Sequence, residues 1–451
     1  FIDYFTIMVL PTPLNLTSLN NKFSTKEQIT EYLKKACSVY ERALYDVPGC
    51  QSSSQQDGSG LTLKLLSYNM LAQCLAKSSM FPKAGKLTSW KIRNQFLALE
   101  LLTRDADVIC LQEVDVDYID DWVTFFERFL NCHCEFTKYG AKRHGILIAY
   151  SLNKFVKGKV HNSIIDFDQE LVDVEDEVIY NGAKLTRTTN IAMTMTIHYN
   201  PDFLESIGQT EDNNKGIIIG TAHLFWHPFG TFERTRQTYV LLKKMHEIKK
   251  IYREPLYKCF FLGDFNAQPY LAPYEAMVLS KPINFAENKK SFFYMNGSME
   301  YNFSGERSPF EFDPSASEVH YIPENIKISE QLADAFNRLP IRAISLYGHS
   351  YEKVDPKNSL KEYNGEPQAS NSNAGFKGML DYIFLIVDEP DLKVHVQKKY
   401  AELEQAAGVS INKLLQVPLL KALNSNEEIL FPGVSGSDHF SLYGEITIQK
   451  N

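Results

Sequence analysis

Several apolar, strand-like runs of this chain end abruptly in a short polar motif, and this pattern constrains the fold more than any other feature. The clearest run is Phe260-Phe261-Leu262-Gly263, which is followed by Asp264 and Asn266. Alone, Gly-Asp-Phe-Asn could be a strand end and a turn, because Gly, Asp and Asn all favour turns. Similar runs adjoin Ser67-Tyr68-Asn69, Leu111-Gln112-Glu113, Thr221-Ala222-His223, Leu380-Asp381-Tyr382 and Ser437-Asp438-His439. Since a strand end delivers its side chains to one edge of a sheet, the pattern predicts sheets with a shared polar edge.

The composition is that of an ordinary globular chain, with 44% hydrophobic and 23% charged residues among 451. The net charge of −8 argues against a broad basic face that grips duplex nucleic acid, although it leaves room for a local basic groove. The seven cysteines are scattered without a Cys-x-x-Cys pair, which argues against a disulfide framework and against structural zinc. We therefore expect an intracellular location, first the cytoplasm, with the nucleus and the mitochondrion as alternatives. No apolar run reaches membrane-spanning length, so we expect no membrane contact. We also expect a monomer.

The chain is predicted to consist of an N-terminal extension, residues 1–59, and one domain over residues 60–451. In the extension, Ser24-Thr25 predicts a helix start, apolar residues at helical spacing continue to Leu44, and the Ser/Gln/Gly-rich stretch 51–60 predicts a linker. The predicted strands are 61–68, 107–111, 145–150, 185–198, 217–223, 258–262, 379–386 and 440–448, and the predicted helices are 91–103, 118–130 and 232–252.

Interleaved strands and helices of this kind predict the α/β (α+β) class. We expect a four-layer α/β sandwich, in which two mixed, largely antiparallel sheets pack face to face with helices outside. Strands 185–198 and 217–223 should form an antiparallel pair. Residues 166–177 carry seven carboxylates and no basic residue, which predicts a solvated loop rather than a metal site. The stretches 285–328 and 351–374 are rich in turn-forming residues and predict long surface loops.

The polar motifs have the residue types that phosphodiester hydrolysis needs: a metal ligand, a group that orients water, and donors to the phosphate. Glu113 is the candidate metal ligand, since a hard cation such as Mg²⁺ needs only one or two carboxylates. Asp264 could orient or deprotonate the attacking water. The amides of Asn69 and Asn266 could bind phosphate oxygens or a metal-bound water. The imidazole of His439 could meet the phosphate, with a carboxylate partner, and His223 is a second imidazole of the same kind. Singly, each residue is as well explained as a turn former or a solvated side chain; jointly they favour one site.

The ordered set Asn69, Glu113, His223, Gly263-Asp264-Phe265-Asn266, Asp381 and Ser437-Asp438-His439 resembles the signature of the exonuclease–endonuclease–phosphatase superfamily, over about residues 61–448. Elements similar to those of its deadenylase and nocturnin branch start at Tyr68-Asn69-Met70, at His223-Leu224-Phe225-Trp226-His227-Pro228 and at Phe376-Lys377-Gly378. The fungal Ngl RNA exonucleases look most similar, on Phe81-Pro82, Lys142-Arg143-His144-Gly145 and Phe232-Glu233-Arg234-Thr235-Arg236-Gln237.

This resemblance implies roles for individual residues. Glu113 would ligate Mg²⁺, with Mn²⁺ as a substitute, and Asp438 would lie near the metal. Asp264, Asn266 and Asn69 would position water and phosphate, while Asp381 would orient His439 and His223 would touch the scissile group. Pro228 and Phe376 match positions that sandwich a terminal base in deadenylases, and the lesser alternative for Phe376 is a core residue in a loop-to-strand turn. Arg143, Arg234, Arg236 and Lys377 could contact backbone phosphates, with solvated surface charge as the alternative.

The implied activity is that of a Mg²⁺-dependent 3′-to-5′ RNA exonuclease that releases 5′-mononucleotides from single-stranded RNA. The resemblance to deadenylases also suggests a preference for adenosine tails. The alternatives are a nocturnin-like phosphatase acting on a phosphorylated dinucleotide or another small metabolite, and a catalytically inactive RNA-binding scaffold. No leucine-rich period precedes Leu61, so we do not expect docking to the large mRNA-decay complex by a leucine-rich-repeat module.

Overall fold

A computed structural model describes residues 10–48, 60–158, 161–174, 177–181, 188–209, 215–252, 257–278, 282–304, 323–388 and 407–449. Its strands are β1 Leu44–Asp46, β2 Leu61–Asn69, β3 Val108–Asp115, β4 Cys132–Thr137, β5 His144–Ser151, β6 His161–Asp166, β7 Leu171–Val174, β8 Glu177–Asn181, β9 Ile191–His198, β10 Gly216–His223, β11 Tyr257–Asp264, β12 Ile341–Ser345, β13 Asn371–Ser372, β14 Lys377–Gly378, β15 Asp381–Asp388, β16 Val409–Leu415 and β17 Leu442–Ile448. Its helices are α1 Leu16–Lys22, α2 Lys26–Ala36, α3 Trp90–Arg104, α4 Ile119–Phe125, α5 Pro201–Ser206, α6 Thr231–Ile251, α7 Ala272–Val278, α8 Lys289–Ser304, α9 Pro323–Arg338 and α10 Leu346–Val354.

Two large mixed sheets form the centre of the fold. One has seven strands in the order β1-β16-β17-β2-β3-β5-β4, and the other has six in the order β12-β15-β11-β10-β9-β6. Within them β2 runs parallel to β3 and β10 parallel to β11, whereas the other described neighbours are antiparallel. The pairing of β9 with β10 confirms the antiparallel pair expected from the sequence.

Side-chain alternation along β2 explains why the sheets stack. Leu63 and Leu65 are buried in the cluster shared with the second sheet. Leu66 and Tyr68 point to the opposite face and join the cluster that contains Leu97 of α3. Since successive side chains of a strand face opposite sides, one run of apolar residues fills both the layer between the sheets and the layer under the helices. The predicted four-layer architecture of two face-to-face sheets with helices outside is therefore confirmed.

The N-terminal helices pack onto this sandwich. Thr25 caps α2 by accepting a hydrogen bond from the Gln28 N–H at 3.3 Å. The prediction that this helix continues to Leu44 is wrong, because α2 ends at Ala36 and β1 instead pairs antiparallel with β16. A sheet edge offers residues 44–46 backbone hydrogen bonds that helical spacing in the sequence does not reveal. The proposed linker lies almost wholly outside the described residues, and the boundary at residue 59 stays a prediction.

Three stretches predicted as loops are more ordered than the sequence suggests. In 285–328, α8 buries Phe292, Met295 and Met299 at helical spacing, so the surface-loop prediction is wrong there. In 166–177, β7 and β8 pair with each other, and Asp168 is buried, accepting hydrogen bonds from the Thr188 N–H at 2.9 Å and its hydroxyl at 2.8 Å. In 351–374, Glu366 is also buried. None of the helices in the described part of the chain combines the length and the apolarity needed to cross a bilayer.

Candidate active site

The ends of the central strands meet at one edge of the sandwich. Asn69, the last residue of β2, lies opposite Gln112 of the parallel strand β3. His223, the last residue of β10, lies opposite Asp264, the last residue of β11. The antiparallel strand β15 begins at the same edge, with Asp381 opposite Asp264. The register therefore brings the polar motifs together before any side-chain interaction is considered.

Glu113 is turned into the site by an irregularity of its strand. The β3–β5 register shifts between Leu111 and Val114, and Glu113 itself has φ +57°, in the left-handed region that a residue with a side chain seldom adopts. Its carboxylate accepts hydrogen bonds from the Ala72 N–H at 3.0 Å and from Nδ2 of Asn69 at 3.2 Å. Burial alone would raise the pKa of Glu113, but the charges of His223 and His144 and the Ala72 N–H hold the pKa below its usual value.

Asp264 is fully enclosed and held by two donors. Its Oδ2 accepts from Nδ2 of Asn69 at 2.9 Å, and its Oδ1 accepts from the N–H of Asn266 at 2.8 Å. Asn266 adopts φ +48°, and its Nδ2 donates to the Leu224 carbonyl at 3.0 Å, so its side chain is fixed as well. Burial and the neighbouring Asp381 charge raise the pKa of Asp264, against the opposing effects of the two nearby histidines and of Asn69.

His439 is held by a buried carboxylate. Nδ1 of His439 lies 2.7 Å from Oδ2 of Asp381, which also accepts from the Ser370 hydroxyl at 2.7 Å. Burial alone would lower the pKa of His439, but the charge and hydrogen bond of Asp381, with Asp438 and Asp264, raise the pKa to about 10. The imidazole is therefore a cation at neutral pH and donates from Nδ1.

The segment carrying His439 is tied to the end of β2. The Ser437 hydroxyl donates to the Asn69 carbonyl at 2.7 Å and accepts from the His439 N–H at 3.2 Å. His223 lies close to two of the carboxylates, since its Nε2 is 3.6 Å from Oδ2 of Asp264 and 3.9 Å from Oε1 of Glu113. The structure thus places Asn69, Glu113, His223, Asp264, Asn266, Asp381 and His439 around one site.

The donor set at Glu113 fits a hard divalent cation. Oδ2 of Asp438 accepts from Nδ2 of Asn371 at 3.1 Å and from Nδ2 of Asn373 at 3.2 Å, while its buried Oδ1 has no hydrogen-bond partner. Burial raises the pKa of Asp438, and the nearby Glu113 carboxylate adds to the rise. Two carboxylates with free oxygen lone pairs match the ligands that Mg²⁺ or Mn²⁺ takes, with water completing the coordination.

A second grouping is a weaker metal candidate. Ligand atoms of Asp264, Asp381 and His439 lie within 4.8 Å of one another. However, a metal needs a neutral imidazole, and the His439 ring is protonated with Nδ1 committed to Asp381. Asp381 and His439 are hydrogen-bonded to each other, whereas Nε2 of His439 lies 3.8 Å from Oδ2 of Asp264, which is beyond hydrogen-bonding distance.

The predicted substrate-binding residues lie on loops at the rim. Pro228 is exposed, and Phe376 is 37% exposed. The backbone N–H groups of Gly375 and Phe376 both donate to Oδ1 of Asn373 at 3.0 Å, so the same Asn373 contacts Asp438 and shapes the turn that presents Phe376. Lys377 is paired with Glu427 at 2.6 Å. The core alternative for Phe376 is not supported, because the ring is partly solvent-exposed.

Two arginines that the sequence suggested as phosphate contacts are buried, and their guanidinium groups bind other groups of the protein. Arg234 donates to the carbonyls of Phe225 at 2.9 Å and His227 at 2.7 Å, which holds the loop containing Pro228. Arg236 is paired with Glu233 at 3.1 Å inside the protein. The interpretation of both residues as phosphate contacts or as solvated charges is therefore wrong. Arg143 does lie at the surface, where it pairs with Asp117 at 2.6 Å.

Sequence reasoning missed several supporting residues. Ser370, Asn371 and Asn373 hold the carboxylates of Asp381 and Asp438, yet they lie in a stretch predicted as a surface loop. The signal was a dense run of Ser and Asn directly before the Phe376-Lys377-Gly378 element. Trp226 lies two residues before Pro228 in the same loop and is 65% exposed, but its position in the sequence does not indicate a role.

Comparison with known proteins supports these observations. The profile of the Endonuclease/Exonuclease/phosphatase family matches residues 66–439. The RNA exonuclease NGL2 of Saccharomyces cerevisiae is 31% identical over 421 residues, which cover 87% of this chain and 79% of the yeast protein. The probable RNA exonuclease NGL3 of the same species is 32% identical over 415 residues, with 86% and 77% covered.

Among solved structures, that of ANGEL2, described as a 2′,3′-cyclic phosphatase in complex with adenosine-2′,3′-vanadate, superposes with a TM-score of 0.59. It covers 91% of this chain and 100% of that chain at 18% identity, which shows a common fold and no more. The family profile spans most of the chain, so the resemblance inferred from the motifs is confirmed. The chain therefore belongs to the Endonuclease/Exonuclease/phosphatase family and is a hydrolytic phosphodiesterase.

Proposed function

We propose that the protein is a Mg²⁺-dependent 3′-to-5′ exoribonuclease that releases 5′-mononucleotides from single-stranded RNA. The observation that carries the proposal is the convergence of Glu113, Asp264 and His439, which come from three distant parts of the chain. RNA as the substrate class is supported by the similarity to NGL2 and NGL3, which are named as RNA exonucleases.

Glu113 would hold the metal, with Asp438 close by. The bound ion would neutralise charge on the scissile phosphate and lower the pKa of a coordinated water. The fixed orientation of Glu113 supports this role, because the Ala72 N–H and the Asn69 amide each occupy only one lone pair of its carboxylate. The buried, unpartnered Oδ1 of Asp438 offers a further oxygen.

Asp264 would orient the attacking water and accept its proton. Hydrogen bonds from Asn69 and Asn266 fix both of its oxygens, so little reorganisation accompanies the reaction. Burial and the Asp381 charge raise the pKa of Asp264, which makes it a stronger base than an exposed aspartate.

His439 would donate a hydrogen bond and positive charge to the phosphate as negative charge develops in the transition state. Its Nδ1 is occupied by Asp381, so Nε2 is the donor left for the substrate. Nε2 of His223 lies 3.6 Å from the same Asp264 oxygen that Nε2 of His439 approaches, and His223 would supply a second donor to the phosphate. Asp381 anchors the His439 ring, and Nδ2 of Asn190 holds the backbone of His223 by donating to its carbonyl at 2.7 Å.

The terminal base would lie between Pro228 and Phe376, by stacking on their apolar faces. Their loops are held by polar side chains, the buried Arg234 for Pro228 and the half-buried Asn373 for Phe376, so the stacking surfaces are prepared before RNA arrives. We also propose a preference for adenosine over pyrimidine nucleotides. The larger face of a purine gains more from stacking than the smaller face of a pyrimidine.

The test uses purified protein, Mg²⁺ and 5′-labelled oligo(A), oligo(U) and mixed-sequence RNA of equal length. We expect a ladder that shortens from the 3′ end, fastest for oligo(A), and 5′-mononucleotide products. EDTA should stop the reaction, and Glu113→Gln should be inactive while remaining folded. A labelled phosphorylated dinucleotide run in parallel tests the phosphatase alternative. Internal cuts, cleavage that survives EDTA, or activity restricted to the dinucleotide would overturn the proposal.

A further inference from the structure

The tripeptide Lys142-Arg143-His144 enters β5 beside the bulge that carries Glu113. Gly145 pairs with Val114 and His144 pairs with Asp115, so the tripeptide adjoins Glu113 across the β3–β5 ladder. Alternation along an extended chain puts the side chains of residues 142 and 144 on one face and that of residue 143 on the other.

His144 begins β5, whereas Lys142 and Arg143 precede the strand and the Lys142 N–H donates to the Tyr139 carbonyl at 2.9 Å, but burial divides the three side chains in the same way. The Arg143 side chain is 66% exposed and pairs with Asp117, away from the site. Lys142 and His144 are both half-buried. Burial lowers the pKa of Lys142, and the charges of Asp168 and Glu113 oppose this effect. Burial likewise lowers the pKa of His144. The charges of His223 and Lys142 lower this pKa further, whereas the charges of Glu113 and Asp115 raise it. The sequence indicates the middle residue as the phosphate contact, whereas its two neighbours are the half-buried residues on which the charge of Glu113 acts.

Neither side chain is satisfied within the protein. Among the residues that the structure describes, the Lys142 ammonium and the His144 ring make no hydrogen bond and no ion pair within 4 Å. A lysine that is partly removed from water and left unpaired costs free energy. An anionic group of the substrate at this position would recover that free energy, because a charge-assisted hydrogen bond is stronger than a neutral one.

We propose that Lys142 and His144 form a subsite for the internucleotide phosphate adjacent to the scissile one, on its 5′ side. This proposal rests on the proposed exoribonuclease function. An enzyme that removes the 3′-terminal nucleotide has further phosphates only on the 5′ side, so the neighbouring anion is the next linkage. Lys142 supplies a point charge, and His144 supplies a ring N–H in either protonation state. Full activity would then require at least two linkages at the 3′ end.

The test is a comparison of two 5′-labelled RNAs that differ at one linkage. Both have a normal terminal linkage, and one carries an uncharged methylphosphonate at the next linkage. We expect wild-type kcat/KM for the first cleavage to fall about tenfold with the methylphosphonate. Lys142→Gln should be about tenfold slower on normal RNA and indifferent to the methylphosphonate. Lys142→Arg should restore part of the sensitivity, and His144→Ala should lose about threefold on normal RNA.

Lys157→Gln is the matched control, since Lys157 is an exposed lysine beyond the far end of β5. It should keep wild-type rates and full sensitivity, and circular dichroism checks that each variant is folded. If wild-type protein cleaves both RNAs at the same rate, or if Lys142→Gln remains as sensitive as wild type, the subsite proposal is overturned while the exoribonuclease function stands. If wild-type protein shortens neither RNA, the proposed function fails and the subsite fails with it.

Discussion

Nδ1 of His439 lies 2.7 Å from Oδ2 of Asp381, whereas Nε2 of the same ring lies 3.8 Å from Oδ2 of Asp264. The ring thus bridges a carboxylate that fixes it and a carboxylate proposed to act on water. Because the Asp381 interaction raises the pKa of His439, it favours the protonated ring, which suits His439 to donate to a phosphate rather than to act as a base.

Replacement of Asp381 by Asn should remove the charge that keeps His439 protonated. We expect the pKa of His439 in Asp381→Asn to fall well below its wild-type value of about 10, because burial is then no longer outweighed. kcat should fall by at least about 100-fold, as the proposed donor to the phosphate is lost. NMR titration of the histidine ring and single-turnover cleavage measure the two effects. An unchanged titration or wild-type activity would show that Asp381 does not set the state of the ring.

Asn69 separates two carboxylates, since its Nδ2 donates to both Asp264 and Glu113. Asn69→Asp would place a third carboxylate between them and raise the pKa of Asp264 further, whereas Asn69→Ala only deletes the donor. A base with a raised pKa is ionised only at higher pH. The acid limb of the kcat/KM profile should therefore move to higher pH in Asn69→Asp, by more than in Asn69→Ala. Equal profiles for the two variants would argue against a shared amide donor.

Glu366 makes stability depend on pH through a buried carboxyl group that is not one of the proposed catalytic residues. It is buried, accepts from the Tyr274 hydroxyl at 2.8 Å and from the Ser345 hydroxyl, and burial raises its pKa to about 7 from the usual 4.5. Between these values the folded protein keeps a proton that the unfolded chain has lost. The stability contribution is therefore complete below about pH 4.5 and is lost as pH rises through 7.

Wild-type protein should accordingly lose free energy of unfolding between about pH 4.5 and 7, with a slope from this group of at most about 1.4 kcal/mol per pH unit. In Glu366→Gln that component of the slope should disappear, because glutamine does not titrate. Urea unfolding at several pH values provides the measurement, and Glu362→Gln, at an exposed position, is the control. Parallel stability curves for Glu366→Gln and wild type would contradict the assignment.

Arg234 connects the stability of the fold to substrate binding. Its guanidinium donates to the carbonyls of Phe225 and His227, and the second carbonyl also accepts from the Gly230 N–H at 2.8 Å. Arg234→Met should therefore leave the Phe225 carbonyl without this donor and reduce the free energy of unfolding by about 2 kcal/mol. The loop that presents Pro228 would then loosen, and KM for RNA should rise more than kcat falls. Urea unfolding and steady-state kinetics measure both effects. If Arg234→Met has a normal KM for RNA, the loop that carries Pro228 does not contribute to RNA binding.

Much of the sandwich was predictable because its strands are locally encoded. The run Leu61–Asn69 predicts a strand with two apolar faces. The abrupt change from Leu262 to Asp264 marks the end of a strand in the other sheet. Edge elements were not predictable in the same way. The short strand Leu44–Asp46 exists through pairing with Val409–Leu415, which is distant in sequence. The helix Lys289–Ser304 was hidden because Asn, Ser and Gly interrupt its buried positions.

The candidate site shows the same division. Asp264 and Asn266 are visible because the strand and the turn after it are contiguous in sequence. The orientation of Glu113 depends on a register shift against β5, and the burial of Arg234 depends on carbonyls that fold back to meet it. Such features arise from tertiary contacts, which residue spacing does not report. For the same reason the sequence indicated Arg143, while the fold leaves Arg143 exposed and partly buries Lys142 and His144 beside the strand that carries Glu113.

The position of the metal is the most direct test of the whole account, and crystals of the protein soaked in Mn²⁺ would reveal it by anomalous scattering. We expect one strong peak within bonding distance of a Glu113 carboxylate oxygen, on the side that faces Asp438, and we expect Glu113→Gln crystals to lack it. A peak among Asp264, Asp381 and His439 with none at Glu113, or no peak in crystals of protein that is active with Mn²⁺, would contradict the assignment.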